Sequence, residues 1–149
     1  MDFDVNVRER ILKPVGEVFV AVVDPEKMAH YFISGASGPL KAGTTVIWEF
    51  ADVGAKVSID VLEVEQNRKI VLESSALGPR IRTTIQFAAE GGEATVVTVT
   101  ESAFPLTEDG VKLALGQNAG WTHTLCGLKT YVQFGINLRE GLNKKLTEA

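Results

Sequence analysis

One cysteine, two histidines and two methionines are all that the 149 residues hold of the soft and metal-prone side chains. A single cysteine excludes an intramolecular disulfide and suits a reducing compartment, so a cytoplasmic location is expected. Long apolar runs are missing too. No stretch approaches the roughly 20 apolar residues of a membrane span, and none is expected. The opening segment MDFDVNVRER has neither a basic n-region nor an apolar h-region, which argues against a signal peptide. Clustered positive charge is equally scarce. The net charge is −4 with both signs interspersed, and the one tight basic pair lies in NKKL at Asn143–Leu146. A nucleic-acid surface needs clustered Lys and Arg to neutralise phosphates, so no nucleic-acid partner is expected.

What remains is average in kind: 45% hydrophobic and 23% charged residues, the balance of a chain that buries one core. A single domain over residues 1–149 is expected. Phe3, Val5, Val7 and Glu9 alternate with Asp2, Asp4, Asn6 and Arg8, which predicts a half-buried strand ending near Leu12. Pro14 then suits a helix start, and Val15, Val18, Phe19, Val22 and Val23 recur at helical spacing. Asp24-Pro25 opens a second short helix, with Asp24 as N-cap, ending around Phe32. The stretch Ser34–Gly43 is loop by composition.

From Thr44 to Phe104 the chain reads as five strands, TTVIWEFA, AKVSIDVLEVE, KIVLESS, RIRTTIQFAAE and EATVVTVTESAF. Gln66-Asn67 and Gly91-Gly92 mark tight turns, with a looser one at Leu77-Gly78-Pro79. Short connections imply antiparallel pairing. LTEDGVKLALGQN is a linking segment with some helical character, and a long helix is expected from about Gly120. The order predicts an α+β layer architecture with helices on one side of an antiparallel sheet.

On a helical wheel Trp121, Leu125, Leu128, Val132 and Gly135 form one stripe. Thr124, Tyr131, Leu138 and Leu142 widen it on one side and Ile136 on the other, beyond the roughly 100° of an ordinary surface helix. Gly135 inside such a stripe means either close packing or room for a ligand. Facing candidates on the strands are Trp48 and Phe50, then Ile81, Thr83, Ile85 and Phe87. Thr95, Val97, Val99 and Glu101 share a further face. Glu101 reads more cheaply as the exposed end of its strand; turned inward, it would mark a wet or ligand-lined interior.

Other chemistry has weaker support. His123 and Cys126 are three apart, but His30 is the only other histidine, and a zinc site wants three or four ligands. Both fall on the wheel away from the apolar stripe. A Cys–His nucleophile lacks an orienting third group. SGASGPLKAG lacks phosphate-loop spacing, and Asp60, Glu63, Glu65 and Glu73 fit a solvated sheet face. No metal and no cofactor are expected.

The segments ERILKPVGEVFVAVVDPEKMAHYFI, LKAGTTVIWEFADVGAKVSIDVLEVEQNRKIVLES and GWTHTLCGLKTYVQFGINLR carry a likeness over essentially the whole chain. The most specific part is Trp121 ahead of the Leu-x-x-Leu-Lys-x-Tyr pattern from Leu125 to Tyr131. In these features the chain resembles the SRPBCC superfamily of START and birch-allergen-like helix-grip domains, and within it the Hsp90-ATPase-activator homologues. The resemblance implies a bent antiparallel sheet around the C-terminal helix, enclosing a cavity for a small hydrophobic ligand. The lining would be Trp48, Phe50, Ile81, Thr83, Ile85, Phe87, Val97, Val99, Glu101, Trp121, Leu125, Leu128, Tyr131, Val132 and Gly135. It also implies two alternatives: a co-chaperone with an Hsp90-type chaperone as partner, or a cyclase or hydrolase of hydrophobic substrates using Glu101 or a cavity tyrosine.

Overall fold

A computed structural model describes residues 1–142; the basic pair of Asn143–Leu146 lies outside the described residues. Strand β1 (Asp2–Ile11) leads into helices α1 (Val15–Val23) and α2 (Pro25–Met28). The strands β2 (Gly35–Ala36), β3 (Thr44–Phe50), β4 (Ala55–Glu65), β5 (Lys69–Ser74), β6 (Ile81–Glu90) and β7 (Ala94–Pro105) follow, and helix α3 (Glu108–Phe134) ends the order. They form a curved seven-stranded sheet in the order β1-β7-β6-β5-β4-β3-β2, every neighbouring pair antiparallel. This is the α+β helix-grip arrangement.

Local chemistry explains the breaks. The Asp24 carboxylate accepts from the Glu26 N–H at 3.0 Å, capping α2, and Pro25 takes the first turn where its missing N–H costs nothing. Thr107 caps α3 by accepting from Gly110 N–H at 3.1 Å, and Glu108 and Asp109 place negative charge at the positive helix end.

That cap moves the start of α3 twelve residues ahead of the expected Gly120. The helix also ends sooner than the apolar stripe suggested. Gly135 is its C-cap, with φ 71°, a left-handed conformation that glycine adopts without a Cβ penalty. It neither packs closely nor makes room for a ligand inside the helix, and Ile136, Leu138 and Leu142 lie beyond it, exposed. Close approach occurs instead at Gly127, where a Cβ would stand 3.2 Å from the Tyr31 carbonyl. Residues 34–43 also depart from a plain loop, because Gly35 and Ala36 pair with Glu49 and Trp48 at the sheet edge.

Alternation along β6 and β7 sends Ile81, Thr83, Ile85, Phe87, Thr95, Val97 and Val99 inward, as the period of two requires. Helix α3 lies against β1 and β7 and touches α1. The main core runs from α1 and α2 across the sheet to Leu125 and Leu128. A second cluster of Val5, Ile81, Phe104 and Ala114 sits under the first half of α3.

Candidate functional site

The two ends of the space between sheet and helix differ. At one end Val22, Met28, Tyr31 and Leu40 close upon Ile85, Val97, Val99, Leu125 and Leu128, leaving about 20 Å³. That holds about one water. Phe87 is packed away edge-on against the Phe19 ring, centroids 5.2 Å apart. At the other end the space widens to a recess of about 270 Å³ that opens to solvent.

Four aromatic rings build one wall. Phe32 stands edge-on to Trp48 (5.2 Å) and Phe50 (5.4 Å) and lies 5.6 Å from Trp121. Val57 and Ile59 of β4, Leu72 of β5 and Ile81 of β6 continue the apolar lining. Gln117, Gly120, Trp121 and Thr124 form the roof from α3. The mouth is edged by Ser74, Ala76 and Leu77 and by Arg139, whose Nη2 donates to Asp52 Oδ2 at 3.0 Å. The Arg139 guanidinium also lies over the Phe50 ring at 5.8 Å, tying the segment after α3 to the β3–β4 turn.

Two polar groups among the lining residues stand out. Leu72, Thr83 and Glu101 stand side by side across β5, β6 and β7, because register pairs Leu72 with Thr83 and Thr83 with Glu101. The Thr83 hydroxyl therefore reaches Glu101 Oε2 at 2.5 Å, while Gln117 Nε2 donates to Oε1 at 2.8 Å. Glu101 is 3% exposed, and no cation among the described residues stands within 4.0 Å of it. The second feature is the Trp48 indole. Its Nε1–H is buried and has no acceptor among the described residues.

Charge at the rim is better balanced. Glu73 lines the mouth and accepts from Arg82 (2.7 Å) and Arg80 (3.1 Å), which hold its carboxyl below the ordinary carboxylate value.

Of the residues expected to line a cavity, Trp48, Phe50, Ile81, Thr83, Glu101 and Trp121 meet at the recess. Ile85, Val97, Val99, Leu125 and Leu128 meet at the filled end. Tyr131 stacks on His30 with centroids 5.1 Å apart, and with Val132 it faces a shallow outer groove beside α1. Glu101 is not the exposed end of a strand, because β7 continues to Pro105 and pairs with β1 as far as Asp2. Cys126 is half-buried with Sγ 3.9 Å from Glu9 Oε2, so it faces β1 and not open solvent. Sequence reasoning missed Phe32, Gln117 and Arg139. For Gln117 a signal existed: Thr107 before two acidic residues is a helix start, and Gln117 and Trp121 are then one turn apart on the same face.

Residues 13–133 match the family described as activator of Hsp90 ATPase homolog 1-like protein. The chain belongs to this family. Similar solved structures include a Staphylococcus saprophyticus protein, SSP2350, 32% identical with TM-score 0.80, the match covering 92% of this chain and 96% of that one. DynU16, from the dynemicin biosynthetic locus, is 28% identical with TM-score 0.81; the match covers 92% of this chain but 49% of DynU16. The Aha1 dimer from Colwellia psychrerythraea shares the fold at 18% identity and TM-score 0.76, over 89% of this chain and 98% of that one. No curated protein matches the sequence. No helix among the described residues is long and apolar enough to cross a membrane.

Proposed function

We propose that this chain is a small-molecule binding protein and that the recess beneath the first half of α3 holds an apolar or amphipathic ligand. The observation that carries this reading is the recess itself. Its volume of about 270 Å³ lies just below the range for drug-sized ligand sites, roughly 300–1,000 Å³, which suits a small guest, and its walls are mainly aromatic and aliphatic. Removing such walls and an apolar guest from water together is favourable. The helix-grip fold is consistent with ligand binding.

Native mass spectrometry of the purified protein, with a denatured control, tests the idea together with titration by an apolar fluorophore. A one-to-one adduct that disappears on denaturation is expected. Gly120→Leu should weaken it, because a Cβ at Gly120 meets nothing within 4 Å and the longer side chain would project into the recess. A protein that retains no mass and takes up no fluorophore removes the proposal.

Family membership supports a second reading, a co-chaperone acting on an Hsp90-type chaperone. Stimulation of a cognate chaperone's ATPase by the purified chain is its expected sign. Absence of both stimulation and binding would eliminate it.

A further inference from the structure

We infer that Thr124 sets what the recess accepts: a small flat ligand whose uncharged oxygen, a hydroxyl or a carbonyl, enters first and hydrogen-bonds to the Thr124 hydroxyl at the inner end. This deepens the binding reading and rests on it.

Position is the first support. Among the described residues, Phe32, Trp48, Trp121 and Thr124 line both the wide recess and the tight space behind it, so these four form the partition between the two. Three of them are rings, against which a flat guest can pack. Thr124 is the one hydroxyl in the group, and its residue is 6% exposed.

Its bonding is the second support. A threonine inside a helix can return its hydroxyl to a carbonyl one turn back. Two of the three threonines of α3 do so: Thr122 donates to the Asn118 carbonyl at 2.7 Å and Thr130 to the Cys126 carbonyl at 2.6 Å. The Thr124 hydroxyl makes no such bond, and no other among the described residues. Unlike the Trp48 nitrogen, its oxygen is not sealed off. A buried hydroxyl without a partner is costly, and a guest oxygen removes that cost. The other polar groups nearby are already turned on one another, since Thr83 and Gln117 both donate to Glu101.

Charge decides what kind of oxygen fits. Glu101 lines the recess with no cation within 4.0 Å among the described residues, so a second negative charge inside is disfavoured. The Arg139 guanidinium stands at the mouth, where a ligand's anion would be held instead.

The test titrates hydroxynaphthalene, naphthalene and naphthalene carboxylate against the unaltered protein, Thr124→Val and Thr124→Ser. Valine keeps the shape and loses the hydroxyl, whereas serine keeps the hydroxyl. The readout is the affinity of hydroxynaphthalene relative to naphthalene, in which the shared apolar contacts cancel. This ratio should fall roughly threefold to tenfold in Thr124→Val, as for a neutral hydrogen bond, and should hold in Thr124→Ser. The carboxylate should bind more weakly than hydroxynaphthalene, and Thr124→Val should leave its affinity unchanged.

A ratio that Thr124→Val does not move, with the probes still binding, overturns the inference and leaves the site standing. A carboxylate that binds tightest and weakens with the loss of the hydroxyl does the same. Failure of all three probes to bind the unaltered protein overturns the site and the inference together. Should Thr124→Val not fold, Thr124→Ala compared with Thr124→Ser supplies the same contrast.

Discussion

Tyr31 shows how one buried side chain can serve two elements at once. Its hydroxyl donates to the Ala21 carbonyl at 2.8 Å, one of the last carbonyls of α1 that no helix N–H can reach. Its ring lies 6.0 Å from Tyr131 of α3, so it joins the small helices to the long one. Tyr31→Phe keeps the ring and strands the carbonyl, and should cost about 1 kcal/mol in urea unfolding. Desolvation, with a smaller push from Tyr131, raises the phenol well above its ordinary 10.0. A group raised in the fold gives stability that is complete below the unfolded value and lost as pH climbs past it. The unaltered protein should therefore weaken above about pH 10 more steeply than Tyr31→Phe, and parallel curves would refute the assignment. Glu101 marks where reading by residue reaches its limit. The alternation of Thr95, Val97 and Val99 already aimed it inward and the strand reads on to Phe104, yet nothing local says that Thr83 stands opposite.

Helix α3 carries glycines whose substitution should have opposite effects. Gly116 sits in the helix interior, exposed, with nothing within 4 Å of where its Cβ would be. Gly116→Ala removes backbone entropy from the unfolded chain and should stabilise by about 1 kcal/mol. Gly135 has φ 71°, so Gly135→Ala places a Cβ against the following carbonyl and should destabilise by about 1 kcal/mol. Thermal melts of the two variants should therefore move apart, by a few degrees each way. Shifts of the same sign would refute this account of the helix. The same pair explains why the helix was only half legible. Its second half has a broad apolar stripe, whereas the first half carries Gly110, Gly116 and few large apolar residues, and is held by the Thr107 cap and by Ala114 against Phe104. Periodicity sees the first kind of helix and overlooks the second. Strand β2, two residues long, has no period to read.

The molecule as a whole depends on closures that the chain order does not announce. Successive hairpins from β3 to β7 follow from their turns, but β7 returns to pair with β1 over a long sequence separation, Val7 opposite Val99. The family resemblance supplied that curvature; local turn chemistry did not. Charges stitch the outer surface of the same sheet. Arg80 bridges Asp60 of β4 and Glu73 of β5, Arg82 holds Glu73 from β6, and Arg10 of β1 pairs with Glu90 of β6 at 2.7 Å.

The consequence is an acid-sensitive edge. The carboxyls of Asp60, Glu73 and Glu90 are held below their ordinary 3.8 and 4.5, chiefly by hydrogen bonds from Arg80, Arg82 and Arg10 respectively. A carboxyl lowered in the fold gives stability that is complete above the unfolded value and lost as pH falls through the folded one. Stability should therefore be flat near neutrality and begin to fall below about pH 4.5. These pairs are largely exposed, so each contributes modestly and salt should blunt the effect. Arg80→Ala is the discriminating variant, since it removes the arginine from Asp60 and one of the two arginines from Glu73 in one change. Urea unfolding between pH 3 and pH 7 should show a shallower acid slope in this variant than in the unaltered protein, with the difference shrinking at high salt. Identical slopes would mean that the arginine bridges leave the acid response to other groups, and that the strands beside the recess are joined by their backbone and inward side chains alone.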